Sequence, residues 1–116
     1  MKSVRSMALI VGGSLVLSAL AFADVDKKSE RLWKAKCASC HGQGGKGDTD
    51  KGQQMKVEDM TTAAYQAKSD DAWKKAIADG VHTEKGGVKQ DMPSFKADLT
   101  PDQVNGLVAY IRTFKQ

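Results

Sequence analysis

The sequence predicts an all-α fold of one small domain, and three observations carry that prediction. Apolar residues recur at helical spacing around Leu32–Trp33, around Trp73–Ile77 and from Val104 to Phe114. Helix punctuation brackets these segments, most clearly at Thr100-Pro101-Asp102-Gln103. Strand signals are nearly absent, with no alternating run of useful length and no hairpin turn between two such runs. There is no internal repeat and no second domain.

The amino end has a different character. Lys2 and Arg5 precede an apolar run from Met7 to Leu20, followed by Ala21-Phe22-Ala23 before Asp24. A basic start, an apolar middle and small residues before the cut describe a secretory signal peptide of residues 1–23, leaving 24–116 as the domain. The competing reading is a retained anchor, but Met7 to Ala23 falls short of the ~20 residues that a spanning helix needs. Export places the domain in the periplasm with no stable membrane insertion. The formal charge of +4 falls to +2 once Lys2 and Arg5 are set aside, and the basic residues are scattered among acids. No basic stripe and no aromatic stacking platform support nucleic-acid binding.

The first helix is expected from about Val25 to Cys40. Leu32, Trp33, Lys36 and Cys37 are neighbours at helical spacing, and Lys27, Lys28, Glu30 and Lys34 can face water. Four glycines between Gly42 and Asp48 then force a loop. From Asp50 to Lys68 the pattern weakens to apolar islands at Met55, Val57, Met60 and Tyr65, with room for one short helix around Thr62 to Ala67. A clearer helix follows, capped by Ser69, with Asp70 and Asp71 at the positive end of its dipole and Gly80 closing it. A loop from Val81 to Lys96 contains Gly86-Gly87 and Met92-Pro93. The last helix opens with a capping box, threonine at the cap, proline at the first position and glutamine at the third, with Leu99 and Val104 as its staple. Val104, Leu107, Val108, Ile111 and Phe114 make its apolar face.

The chemistry is concentrated in Cys37-Ala38-Ser39-Cys40-His41. C-x-x-C-H is the attachment signature of c-type haem. Two thiols add across the vinyl groups of the macrocycle to form thioethers, and the adjoining imidazole takes one axial position on iron. A domain this small has a marginal core of its own, which a flat apolar macrocycle at its centre would complete. A redox disulfide is the first competing reading, but no β-α-β pattern surrounds the pair. A closed zinc site would need a second ligand pair, and only His82 remains as an obvious candidate. For the second axial position the chain offers Met55, Met60, Met92 and His82, with Met92 favoured by its place before Pro93 in a loop that a closing helix can press inward. His82, alone on a loop, reads as solvated.

With the motif, the glycine-rich loop, Ile77-Ala78-Asp79-Gly80, Met92-Pro93-Ser94-Phe95 and Leu107-Val108-Ala109-Tyr110-Ile111 in hand, the chain resembles a class I c-type cytochrome, the small soluble monohaem proteins of bacteria. The resemblance covers the whole of 24–116 and implies helices packed around one covalent haem c, the first and last crossing, with Trp33 and Ser29 meeting Leu107 and Tyr110. It also implies Met92 as the second axial ligand beside His41. Two departures stand out. Serine occupies position 29 where relatives usually have glycine, and no proline lies between His41 and Met92 to accept the proton of the proximal imidazole. Some carbonyl of the Gly44 to Met55 loop is expected to take that proton instead. Trp73 and Tyr65 either hydrogen-bond a haem propionate or belong to the core.

Two protein ligands on one iron leave no open position, so the reading is an electron carrier rather than an enzyme. The expected partners are transient redox proteins meeting a monomer, with Lys36, Lys46, Lys89 and Lys96 available to steer acidic surfaces. The alternatives are a haem ligand-binding or sensor protein with a labile Met92 bond, or a dedicated electron-transfer subunit of a larger oxidoreductase.

Overall fold

The structure, a computed structural model, describes residues 12, 13 and 19–115, with side chains of the first helix described from Lys27 onward. Most of the expected signal peptide, residues 1–11 and 14–18, lies outside the described residues. The element order is α1 (Ala19–Lys36), α2 (Ala38–His41), α3 (Asp50–Gln54), α4 (Ala63–Gln66), α5 (Asp70–Asp79), β1 (Val81–Lys85), β2 (Val88–Met92) and α6 (Pro101–Arg112).

The first helix begins earlier than expected and is interrupted at Cys37, where φ is −118° before α2 resumes the coil. The Cys37 amide still donates to Trp33 O at 2.8 Å, so the motif remains attached to the end of α1. Helices α1 and α6 pack together as expected, through a core in which Trp33 and Leu107 are 1% and 0% exposed. Trp33 lies 6.0 Å from the Tyr110 ring and 5.0 Å, edge-on, from Phe114. The close approach at position 29 is made with Gly106, whose hypothetical Cβ would lie 2.5 Å from Ser29 Oγ. The small residue that the crossing requires therefore sits on α6, and the serine on α1 is accommodated by it.

The helix caps follow the expected chemistry. Ser69 Oγ accepts from Ala72 N at 3.1 Å, and the Thr100–Gln103 box is closed in both directions, at 3.2 and 2.9 Å. Leu99 and Val104 are both buried in the same cluster. Thr62 caps α4 within the short helix that its sequence allowed, while α3, capped by Thr49, was not foreseen.

The fold is not strictly all-α. The segment expected as a loop from Val81 contains an antiparallel hairpin in which Val81 pairs with Met92 and Lys85 with Val88. Gly86 and Gly87 both have positive φ, 55° and 76°, the backbone demanded by a two-residue hairpin turn whose twist matches that of its strands. The strands lack the apolar alternation of a half-buried sheet because β1 is exposed at four of its five positions and β2 at two. Their pairing is local, and only Val81 on β1 and Val88, Gln90 and Met92 on β2 turn away from full exposure.

Candidate haem site

Cys37, Cys40 and His41 come from the α1–α2 junction, and their side chains line one cavity of about 290 Å³. Trp33, Leu107 and Ile111 wall it from the α1–α6 core, Trp73 and Ile77 from α5, and Met92, Pro93 and Phe95 from the hairpin's end and the segment after it. The lining is predominantly apolar, suited to a hydrophobic cofactor held by a few directed groups.

Electrostatics fit that use. Burial depresses the His41 pKa, keeping the imidazole neutral with a lone pair to give. His41 Nδ1 is buried and has no hydrogen-bond partner, an orphaned polar atom in a residue that lines the cavity. The Cys37 thiol is pushed up to about 11, first by burial and then by Cys40, which leaves it a poor thiolate for disulfide exchange. Neither cysteine is bridged. Two thiols and a neutral imidazole facing an apolar cavity are the donor set that covalent haem requires, and no group of three or more candidate metal ligands of the zinc kind occurs among the described residues.

The expectation for the imidazole proton is not met. No carbonyl of the Gly44 to Met55 loop accepts from His41 Nδ1, and two of them have other donors: Gly45 O accepts from Met60 N at 2.8 Å and Met55 O from the Gln90 amide at 3.2 Å. His41 instead packs against Trp33, ring centroids 5.7 Å apart, while Trp33 Nε1 donates to Gly42 O at 3.0 Å.

Of the four axial candidates, Met55, Met60 and Met92 all line the cavity and His82 does not. His82 is exposed on β1, with Nδ1 2.5 Å from Asp91 Oδ1 across the hairpin. Met60 is 4% exposed and belongs to the core cluster, whereas Met92 ends β2 and is half-buried. The segment after Met92 is fixed to α5, with Phe95 N donating to Ile77 O and Lys96 N to Ala78 O. Trp73 and Tyr65 stack 5.3 Å apart on the cavity wall. Trp73 Nε1 is buried and unpaired, so the indole retains a donor beyond its core role. Lys36 and Lys51 also reach the lining; Lys46, Lys89 and Lys96 do not. Gln90, which lines the cavity too, was not singled out from the sequence, although a two-residue reading of Gly86-Gly87 would have placed it on a strand.

A helical frame closing over a C-x-x-C-H segment and a methionine-bearing flank defines a c-type cytochrome. A family model for cytochrome c oxidase, cbb3-type, subunit III matches residues 24–111, and the chain belongs to that family. The cbb3-type cytochrome c oxidase subunit FixP of Azorhizobium caulinodans is 30% identical over 87 residues, and that of Bradyrhizobium diazoefficiens 28% over 86. These alignments take in 75% and 74% of this chain but only 26% of each relative, so the chain spans about a quarter of their length. Among solved structures, the KustC0563 c-type cytochrome superposes with a TM-score of 0.63 at 31% identity, covering 76% of this chain and 98% of that one. The chain is thus a cytochrome c domain with covalently bound haem c, the cofactor of an electron carrier. Among the described residues, no helix is long and apolar enough to cross a membrane.

Proposed function

We propose that the protein is an exported, periplasmic electron carrier in which Cys37 and Cys40 form the thioethers and His41 and Met92 hold the iron from two sides. The observation that carries this reading is the convergence of the α1–α2 motif and the end of β2 on one apolar cavity. When bound, haem c supplies reversible one-electron chemistry at iron. The protein's part is to anchor, orient and exclude water. Trp33, Leu107 and Ile111 make the wall dry, burial keeps His41 unprotonated, and Pro93 with the Phe95 and Lys96 amide bonds restrains the chain beyond Met92. A thioether ligand favours the ferrous state over bis-histidine ligation and raises the potential.

Cleavage after residue 23 would leave a mature domain of 24–116, a reading supported by the family match, which begins at Asp24. The partners are transient redox proteins that meet a monomer. A second reading, delivery of electrons to an oxidase as a dedicated subunit, is favoured by the names of the two relatives.

The test is ligand replacement in the holoprotein. Met92→Ala is expected to abolish the near-infrared methionine-to-iron band of the ferric form, lower the potential and admit carbon monoxide to the ferrous form. Met55→Ala and Met60→Ala should retain the band. Its survival in Met92→Ala would overturn the ligand assignment in favour of Met55 or Met60, whereas its absence from the wild-type protein would reopen the sensor reading.

A further inference from the structure

Helix α3 joins the two parts of the molecule that the proposed ligands come from. At its amino end Thr49 Oγ1 donates to Cys40 O at 3.1 Å and accepts from Gly52 N at 2.9 Å. Gly52 brings the helix against the motif so closely that a Cβ there would lie 2.3 Å from Cys40 O. At its carboxyl end Lys56 N donates to Gln53 O and Val57 N to Gly52 O, the paired bonds of a Schellman stop. That stop wants glycine in the left-handed position, yet Lys56 occupies it with φ of 50°, the only non-glycine with positive φ among the described residues.

The carbonyls at this stop face outward from a helix end, where they need donors. Gln90 Nε2 provides one, donating to Lys56 O at 2.9 Å and Met55 O at 3.2 Å. Its Oε1 in turn accepts from Thr83 Oγ1 at 3.1 Å, which fixes the carboxamide's orientation from the opposing strand. Gln90 is two residues before Met92 on β2, so both side chains leave the same face of the strand. The hairpin is otherwise largely exposed, and a few directed bonds decide where its end lies.

We infer that Gln90 is a positioning residue, a latch by which the Met55–Lys56 turn of α3 holds β2 so that Met92 stays over the haem site. This rests on Met92 being the axial ligand. The latch resists excursions of the hairpin that would withdraw the sulfur, and α3 ties that restraint to the backbone of the cysteine motif. A group elsewhere in the fold would stabilise the whole domain; Gln90 acts on one coordinate, the distance from β2 to α3.

The experiment measures binding of free imidazole to the ferric holoprotein, followed by loss of the near-infrared band, in wild type, Gln90→Leu, Gln90→Glu and Thr100→Ala. Gln90→Leu keeps bulk and loses the donor; Gln90→Glu sets a carboxylate against two carbonyls. Loss of two hydrogen bonds from the closed state predicts imidazole binding about tenfold faster in Gln90→Leu, faster still in Gln90→Glu, with the resting band intact in both. Thr100→Ala loosens the cap of α6 away from the hairpin and should bind at nearly the wild-type rate. A Gln90→Leu rate within twofold of wild type, or an equal rise in Thr100→Ala, would overturn the latch. Met92→Ala separates the two readings: if it keeps the band, the ligand assignment fails; if it loses the band while Gln90→Leu is indifferent, only the latch fails.

Discussion

The α1–α6 crossing and the β1–β2 hairpin both border the haem cavity, but they are held by different forces. At the crossing, Trp33 and Leu107 are almost wholly removed from water, and three aromatic rings, Trp33, Tyr110 and Phe114, meet within 5.0–6.0 Å of one another. The hairpin buries no residue fully and relies on cross-strand pairing, the Gln90 bonds and the ties from Phe95 and Lys96 to α5. Apolar burial is insensitive to small displacements, whereas hydrogen bonds at an exposed edge exchange readily with water. The cysteines and His41 thus grow from the buried frame and Met92 from the more exposed of these two regions, so opening of the site is expected to begin on the methionine side.

The contrast breaks most severely if the frame is hollowed. Leu107→Ala removes a fully buried side chain from the centre of the crossing and is expected to cost about 2–5 kcal/mol in denaturant melts of the holoprotein. Met92→Ala and Gln90→Leu, by comparison, should change ligand binding far more than global stability. A Leu107→Ala cost below ~1 kcal/mol would mean that the covalent cofactor, and not the crossing, carries the fold.

Titratable groups sharpen the same contrast at intermediate size. Tyr65, stacked on Trp73 in the helical part, has its phenol pushed up to about 12 by burial and, secondarily, by Glu58. In the unfolded chain a phenol ionises near pH 10, so the folded state holds its proton over a window where the unfolded state has released it. Its contribution is intact below about pH 10 and is lost as the pH climbs through about 12. Between pH 9 and 12 wild type should lose roughly 2 kcal/mol more stability than Tyr65→Phe. Parallel losses in the two proteins would show that the phenol is in contact with water when folded.

The same division explains what could be read from the sequence. The α5 and α6 helices, their caps and the haem motif were legible because each rests on local chemistry: Ser69 and Thr100 at caps, Val104 to Ile111 at helical period, Cys37 to His41 as a contiguous signature; the crossing followed only from the family resemblance. The hairpin was not, since exposed strands such as His82-Thr83-Glu84-Lys85 carry no burial pattern, and Gly86-Gly87 was the sole local sign. Helix α3 was hidden by Gly52, a poor helix former retained for its approach to Cys40 O. The unpaired Nδ1 of His41 was also out of reach, because which loop carbonyls remain free depends on tertiary partners such as Met60 and Gln90.

The smallest expected effect comes from the most conspicuous side-chain contact on the hairpin. His82 Nδ1 and Asp91 Oδ1 are 2.5 Å apart on directly opposed residues, beside the Val81–Met92 pair that ends the ladder. Proximity to Met92 would suggest importance, but their side chains are 65% and 74% exposed, and exposed pairs contribute about 1 kcal/mol or less. His82 also stays outside the cavity lining. His82→Ala should therefore leave the unfolding midpoint within about 0.5 kcal/mol of wild type and the near-infrared band unchanged. Disappearance of that band would show instead that the His82–Asp91 contact helps hold the end of β2, and Met92 with it, against the cavity.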